Sequence, residues 1–455
     1  MLSIVGYEAE SRNLSVALVG DLMINRRLDQ YREPAYLAMV EILRSADLTL
    51  SNLETQINEF EPSWAQKPDS ISWQVGAPER IDDLKWMGID AVTISNNHSY
   101  DYSEDGFLTT MRHLKTRGMP FAGGGMNLAE ARAPAMLDLR QGRVAFMGGT
   151  TTFYNEAQAG SSRPDFLGKP GVNALHHELV HHVPRSLFDA LVEAKVRLGY
   201  KEYETVRDKF QPNHVQSYDE LTEVRIFGQK FRLADSYDMH TSCSGEDLRG
   251  IEPSIRGAGK QADWRIYSVH CHESGNTGTT HGVARETPPE FLMEFARWTI
   301  DQGCDLFASS GPHFLRGIEI YKGKQIFYSL GNFIFHNETV QKQPEPAYRR
   351  QGLGHEHTPG DWGAARSGDH AYGFSVDPAF FRSVIAVCEY ASGRLKEVTL
   401  HPVELGFGKS LSQRGRPMLA KRKVADEILT SLQALSAPYG TTITNSDGVG
   451  VIRVA

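Results

Sequence analysis

The sequence predicts a protein of the α/β (α+β) class, and three observations carry that expectation. From about Leu14 to Thr150, short apolar runs alternate with stretches whose apolar residues recur at helical spacing. The same alternation returns after about residue 262. Several of the apolar runs end in polar residues, and open α/β sheets bind ligands outside the carboxyl ends of their strands.

Taken in order, Val16 to Val19 reads as a buried strand ending at Gly20-Asp21, and Leu37, Val40 and Leu43 mark a helix. Leu48 to Leu50 is a second strand that runs into Ser51-Asn52-Leu53-Glu54. Ile81 and Leu84 belong to another helix, and Ala91 to Ile94 is a third strand leading to Ser95-Asn96-Asn97-His98. Phe107, Met111 and Leu114 give a helix closed by Gly118, and Val144 to Met147 a fourth strand. Between about 154 and 262 the pattern loosens into an expected insertion, with a helix near Leu187 to Leu198, a strand pair around Val224 to Leu233 and a polar tract from Thr241 to Gly259.

The strand-then-polar-end pattern resumes at Ile266 to Val269, followed by His270-Cys271-His272-Glu273. Phe291, Phe295 and Trp298 lie on one face of a helix that begins at Pro288-Pro289, and Leu306 to Ala308 is a strand that leads to Gly311-Pro312-His313. Ile318 to Tyr321 and Gln325 to Leu330 form a hairpin around Lys322-Gly323. Gln341 to His370, rich in Pro, Gly and His, reads as a loop. Arg382 to Val403 holds two more strands and Val424 to Leu435 a closing helix. The expected organisation is an extension over 1–13, a domain over 14–405 with its insertion, and a tail over 406–455 that packs on the domain.

Composition narrows the function. With 48 Lys and Arg against 56 Asp and Glu, the net charge of −8 and the lack of a basic block argue against nucleic acid as a partner. Cys243, Cys271, Cys304 and Cys388 are widely spaced and fit reduced thiols. No run of about 18 apolar residues suggests a membrane span. Met1 to Arg12 carries Glu8, Glu10 and Arg12 and lacks the pattern of a secretory signal, so a cytoplasmic location is expected.

Asp21, Asn52, Glu54, Asn97, His98, His270, His272 and His313 all follow apolar runs. Each has an ordinary reading as a cap, a turn residue or a hydrogen-bonded histidine. Their coincidence at five strand ends points instead to a divalent metal, because carboxylate, amide oxygen and imidazole suit Mn, Zn or Fe, with Mg also possible.

Gly20-Asp21-Leu22-Met23, Asn52-Leu53-Glu54-Thr55, Ser95-Asn96-Asn97-His98 with Asp101 and Gly106, and Tyr328-Ser329-Leu330-Gly331-Asn332-Phe333 closely resemble the motifs of the bacterial capsule-synthesis CapA family, also called the poly-γ-glutamate synthesis family. That family belongs to the calcineurin-like metallophosphoesterase superfamily. The resemblance implies a four-layer fold, two mixed β-sheets flanked by helices, with one or two metal ions at the strand ends. It implies Asp21 as a first-metal ligand, Glu54 or Asn52 as the bridging ligand, Asn97 as a second-metal ligand, and His270 and His313 as completing the coordination. His98 would act as general acid or oxyanion stabiliser, oriented by Asp101. Met23 stands where the superfamily usually has a histidine, and Ser309-Ser310-Gly311-Pro312-His313 lacks the histidine common before the last one, so His272 or Glu273 would substitute or the site would hold a single ion.

Three other signals carry alternatives. His177-Glu178-Leu179-Val180-His181 matches the zincin pattern His-Glu-x-x-His, which needs both histidines on one helical turn. The stretch is cut off by Pro184 and lies in the irregular insertion, so an exposed histidine cluster with His176 and His182 is the preferred reading. His355-Glu356-His357 is either solvated or part of a loop reaching over the site. Gly123-Gly124-Gly125 is better read as a tight turn than as a phosphate cradle, and Cys271 as a packed side chain or as a nucleophile or ligand.

The expected function is a metal-dependent hydrolase acting through a metal-activated water on an anionic small or oligomeric substrate, at an amide (γ-glutamyl) or phosphoester bond. Arg316 and Glu273 are the expected substrate-binding residues, with Phe153, Tyr154 and Arg163 as further pocket candidates. The alternatives are a non-catalytic component of capsule or poly-γ-glutamate biosynthesis and a metal-dependent lyase of a catabolic pathway.

Overall fold

A computed structural model of the protein describes residues 8–61, 72–212, 218–275 and 284–454. The expected extension over 1–13 therefore lies outside the described residues up to position 7. The site is carried by parallel strands: β1 (Leu14–Met23), β2 (Leu48–Leu53), β3 (Ala91–Thr93), β4 (Gly142–Thr150), β5 (Trp264–His270), β6 (Leu306–Ser310) and β7 (Asn332–Phe335). In a ten-stranded mixed sheet, β1 runs parallel to β2 and β7, and β2 runs parallel to β3. On its other side β1 pairs antiparallel with β8 (Arg382–Ala391), which pairs antiparallel with β9 (Arg394–Glu404). A six-stranded mixed sheet has β4, β5 and β6 parallel and adjacent.

Alternation along these strands builds the layers, because successive side chains leave a strand on opposite faces. Val16 and Leu18 of β1, Val384 and Ala386 of β8, and Phe146, Ile266 and Leu306 of the second sheet share one core, so the two sheets pack face to face. The opposite face of β1, Ala17 and Val19, packs with Tyr36, Met39, Val40 and Leu43 of the helix Pro34–Ser45 and with Leu84, Phe107 and Met111 of the next two helices. On the outer face of the second sheet, Tyr267 and Val269 meet Ile251 and Ile255 and also Phe291 and Phe295. Helix, sheet, sheet and helix thus form four layers. Each fully buried side chain of this kind contributes roughly 1.5–3 kcal/mol, and truncating Phe146 to alanine would cost about 3–5 kcal/mol.

The structure excludes the zincin alternative and adds helices that the sequence reading did not give. His177–Val183 is a β-strand, not a helix, paired with Gln229–Leu233 and Asp238–Cys243. Four residues along a strand span about 13 Å, so His177 and His181 do not form the helical pair a zincin needs. The His177 ring stacks on Phe291 and the His181 ring on Phe231. The polar tract contains the helix Gly245–Ala258, capped by Ser244 accepting from the Asp247 amide, with Ile251, Ile255 and Ala258 buried on one face. Tyr200–Phe210 is a further helix in the insertion with no buried residues. The stretch expected as a loop holds the helices Glu345–Arg350 and Pro359–Ser367, the latter started by a Thr358–Asp361 capping box with Pro359 at its first turn.

Gly124 and Gly125 pair with Val172 and Gly171 in a small two-stranded sheet. A Cβ on Gly124 would meet Ile94 and Phe107 at 2.8 Å, so close packing accounts for that glycine run. In the tail, the strand Val449–Arg453 pairs with β9, and the helix Arg422–Ser436 buries Ile428, Leu429 and Leu432 in the intersheet core. No helix among the described residues is long and apolar enough to cross a membrane.

Candidate metal centre

Parallel strands place their carboxyl ends side by side, and here those ends deliver the polar residues to one buried spot. Asp21 is near the end of β1, in register with Asn52 of β2 and Asn332 of β7. The turn before β7 approaches β1 so closely that a Cβ on Gly20 would lie 1.9 Å from the Gly331 carbonyl oxygen, while the Asp21 amide donates to that same oxygen at 3.0 Å. Asp21 Oδ2 accepts from the Gly311 amide at 2.9 Å, and Asp21 Oδ1 from Asn52 Nδ2 at 2.8 Å. Asn52 Oδ1 accepts in turn from Thr93 Oγ1 and Asn96 Nδ2 at 3.0 and 3.2 Å.

His270 ends β5. Its Nδ1 lies 3.1 Å from Asn52 Nδ2 and 3.7 Å from Asp21 Oδ1, and its Nε2 lies 2.8 Å from Asn97 Oδ1. The His272 Nε2 is 3.0 Å from the same nitrogen of His270. His313 follows β6 with a left-handed backbone, φ +68°, which costs energy for a residue with a Cβ, and its Nδ1 contacts Asn332 Oδ1 at 2.9 Å.

Glu54 sits among these groups, fully buried, and among the described residues neither of its carboxylate oxygens has a hydrogen-bond partner. Its Oε1 is 3.6 Å from His270 Nε2, 3.7 Å from His272 Nε2 and 3.9 Å from His98 Nε2, and its Oε2 is 3.7 Å from His313 Nδ1. Ligand atoms bound tetrahedrally at about 2.1 Å from a cation stand about 3.4 Å apart. Two groups therefore fit a metal, Asp21 with Glu54 and His270, and Glu54 with His272 and His313, each with ligand atoms within 4.8 Å of one another. Glu54 is common to both. A buried carboxylate with no partner costs free energy unless a proton or a cation compensates it, so the donor set fits a divalent ion.

The electrostatics agree. Burial, then the charges of Asp21 and Asp101, push the Glu54 carboxyl well above its usual range. Burial would also raise Asp21, but bonding to His270, the charges of His270 and His313, and the Asn52 amide hold it below. Burial drives the His313 imidazole down to about 4, so it is neutral at pH 7 with a lone pair free to coordinate. Burial raises the Cys271 thiol well above its usual range, and its Sγ donates to Glu273 Oε2 at 3.3 Å, so it is not a thiolate nucleophile.

Beside the cluster, Asp101 Oδ2 contacts His98 Nδ1 at 2.7 Å and accepts from the Gln74 amide at 2.7 Å. Asp21, Asn52, Glu54, Asn97, His98, Asp101, His270, His272 and His313 thus lie together. Glu273 and Arg316 face protein instead. Glu273 accepts from the hydroxyls of Thr151 and Thr152, and Arg316 donates to the Glu273 and Arg285 carbonyls and to Ser274 Oγ. His355 and His357 line a separate cavity with Gln343 and Tyr348. The residues missed are Asn96, Gln74 and Asn332. Asn96 and Asn332 both lie inside motifs that carry the family resemblance, which is the signal the sequence offers for them.

Two face-to-face mixed sheets with flanking helices, and carboxylate, amide and imidazole groups at the strand ends, are consistent with an α/β protein of the calcineurin-like class. The chain belongs to the bacterial capsule synthesis protein family PGA_cap, whose model matches residues 15–337. It is 33% identical over 453 residues to the uncharacterized protein y4sH of Sinorhizobium fredii (strain NBRC 101917 / NGR234), covering 97% of this chain and 93% of that one. It is 20% identical over 331 residues to the capsule biosynthesis protein CapA of Bacillus anthracis, covering 72% and 61% of the two chains. With the PGA biosynthesis protein CapA of Bacillus subtilis (strain 168) it shares 22% identity over 328 residues, 71% and 63% of the two.

Proposed function

We propose that this protein is a metal-dependent hydrolase acting on an anionic small or oligomeric substrate at an amide or phosphoester bond. The observation that carries the reading is the buried Glu54 carboxylate, without a hydrogen-bond partner among the described residues and ringed by imidazole nitrogens at 3.6–3.9 Å. Asp21, Glu54 and His270 would hold one divalent ion, and Glu54, His272 and His313 a second. Bound there, Mn, Zn or Fe would polarise the scissile group and lower the pKa of the attacking water.

The chain's own groups do the rest. Asn52 fixes the Asp21 carboxylate through its Nδ2, and Asn97 sets the His270 ring through Nε2. Asp101, steadied by the Gln74 amide, holds His98 by Nδ1 and leaves Nε2 on the side of Glu54. From that atom a proton can pass to the leaving group while Asp101 keeps the ring oriented through Nδ1. The Bacillus relatives are named for capsule and PGA biosynthesis, and from those names comes the γ-glutamyl amide as one bond to test. The same names support the second reading, a non-catalytic component of polymer assembly.

Metal analysis after gentle purification, paired with hydrolysis assays on phosphomonoesters, phosphodiesters, γ-glutamyl peptides and small aromatic amides, tests the proposal. One or two transition-metal ions per chain, lost in Asp21→Ala, with turnover of at least one substrate class, are expected. Metal retained in Asp21→Ala, or a loaded protein that cleaves none of these, would sink it.

A further inference from the structure

A cavity of about 610 Å³ lies beside the metal centre, lined chiefly by residues 360–380 together with Arg285 and Asn337. Phe374 links the two. Its ring lines the cavity and meets the His313 imidazole edge-on, with centroids 6.1 Å apart. A second link is polar: Asn337 Oδ1 accepts from Gln74 Nε2 at 2.7 Å, and the Gln74 amide donates to Asp101, the partner of His98.

Most charges in the lining are already matched. Arg285 pairs with Asp377 at 2.7 Å and with Glu286 at 3.1 Å. Glu338 pairs with Arg414 at 3.3 Å and accepts from Ser375 Oγ at 2.7 Å, with His370 Nδ1 at 3.7 Å. Arg366 differs. Its guanidinium lies over the rings of Trp362 and Phe374, and its hydrogen bond among the described residues is a long one, 3.4 Å, to Asn337 Oδ1. None of the ion pairs among the described residues includes it. Burial lowers its basicity, the charge of Glu338 pulling the other way. A guanidinium has five N–H donors, and protein groups among the described residues take few of these, leaving the half-buried fork open to the cavity. Such a fork is shaped to receive a planar anion.

The surroundings select the anion. Glu338, Asp369 and Asp377 also border the cavity, so a dianion meets repulsion that a monoanion largely escapes. A carboxylate is a planar monoanion that accepts two parallel bonds from the guanidinium fork. Phe374, Tyr372 and Val376 supply apolar lining, while Trp362 and Phe380 are almost fully buried behind it, and the volume lies within the roughly 300–1,000 Å³ of small-molecule sites.

We infer that this cavity is the specificity pocket of the hydrolase proposed above, in which Arg366 clasps the carboxylate of a small substrate whose aromatic or apolar body packs against Phe374 and Tyr372. The inference rests on the metal centre as the reacting site, and its test separates the two. Benzoate, phenyl phosphate and benzyl alcohol are titrated into the full chain by ligand-observed NMR. Benzoate should bind more tightly than the other two, about tenfold or more weakly to Arg366→Gln, and with intermediate affinity to Arg366→Lys, which keeps the charge and loses the fork. Circular dichroism and melting curves establish that the variants are folded.

Benzoate binding should persist in chelator-treated Glu54→Gln, because the guanidinium and not a metal holds it. Equal binding by wild type and Arg366→Gln, loss in Glu54→Gln, preference for phenyl phosphate, or no binding by wild type would each overturn the pocket. A wild-type protein that takes up no metal yet binds benzoate through Arg366 would leave the pocket standing and remove the hydrolase reading alone.

Discussion

His270 Nε2 lies 3.6 Å from Glu54 Oε1, both side chains are sealed from solvent, and among the described residues neither oxygen of the glutamate has a hydrogen-bond partner. Such a pair is poorly arranged for a metal-free protein and well arranged for a metal-bound one, and the predictions follow from that imbalance.

The raised Glu54 carboxyl has a definite stability consequence. A group whose folded pKa exceeds its unfolded value keeps its proton in the fold, so metal-free stability is full below the unfolded value of about 4.3 and declines as the pH rises from there toward the folded value. Glu54→Gln should therefore stabilise the metal-free protein at pH 7 by about 1–3 kcal/mol, while abolishing metal uptake. Urea unfolding and metal analysis of the same preparations check both halves; a Gln variant no more stable than chelated wild type contradicts the account.

His313 acts in the opposite sense. Its folded pKa of about 4 lies below the unfolded 6.5, so the stability it supports is complete above about pH 6.5 and is lost as the pH falls toward 4. The contribution is about 3 kcal/mol over that window. Unfolding curves of metal-free wild type and His313→Gln at pH 7.5 and 5 should differ in slope, with the variant less sensitive to acid across that interval.

Removing the His98 imidazole should separate chemistry from metal binding. His98→Ala is expected to keep its metal and to lose about 10²–10⁴ in kcat, with Asp101→Asn losing less because the imidazole remains. Metal stoichiometry measured beside turnover gives the answer, and a His98→Ala protein with unchanged kcat would remove the residue from the mechanism.

The β-strand at His177 makes a sharp negative prediction. His177→Ala, which removes one stacked ring from Phe291, should leave metal stoichiometry unchanged. Depletion of metal in that variant would restore the zincin reading.

Gly20→Ala tests the close approach of β1 to the turn before β7. A methyl there would lie 1.9 Å from the Gly331 carbonyl oxygen, a backbone atom that cannot swing aside. Loss of about 1–3 kcal/mol or more is expected, with weakened metal binding because Asp21 is the next residue; thermal melting and a metal titration measure the two effects.

Much of the layered fold was readable because strand alternation and helical periodicity are written within a few residues of one another. Val16 and Leu18 facing one core with Ala17 and Val19 facing another is such a local pattern. Signals went astray where chemistry and pattern conflicted. His177 to His181 carries a helix-type metal motif but pairs on both sides as an inner strand of a four-stranded sheet, and the Pro- and Gly-rich stretch hid the capping box at Thr358, which outweighs its breakers.

By itself the chain order fixed which polar side chains end the strands, since Asp21, Glu54, His270 and His313 each follow an apolar run. Only the folded molecule decided which of them meet: that His272 reaches Glu54, that Asn332 and Gln74 stand behind His313 and Asp101, and that Arg366 comes to line a cavity beside His313. The division has a simple cause. Local conformation answers to neighbouring residues, whereas a coordination sphere needs sub-ångström agreement between segments far apart in sequence, and sheet register and interlayer packing alone supply it.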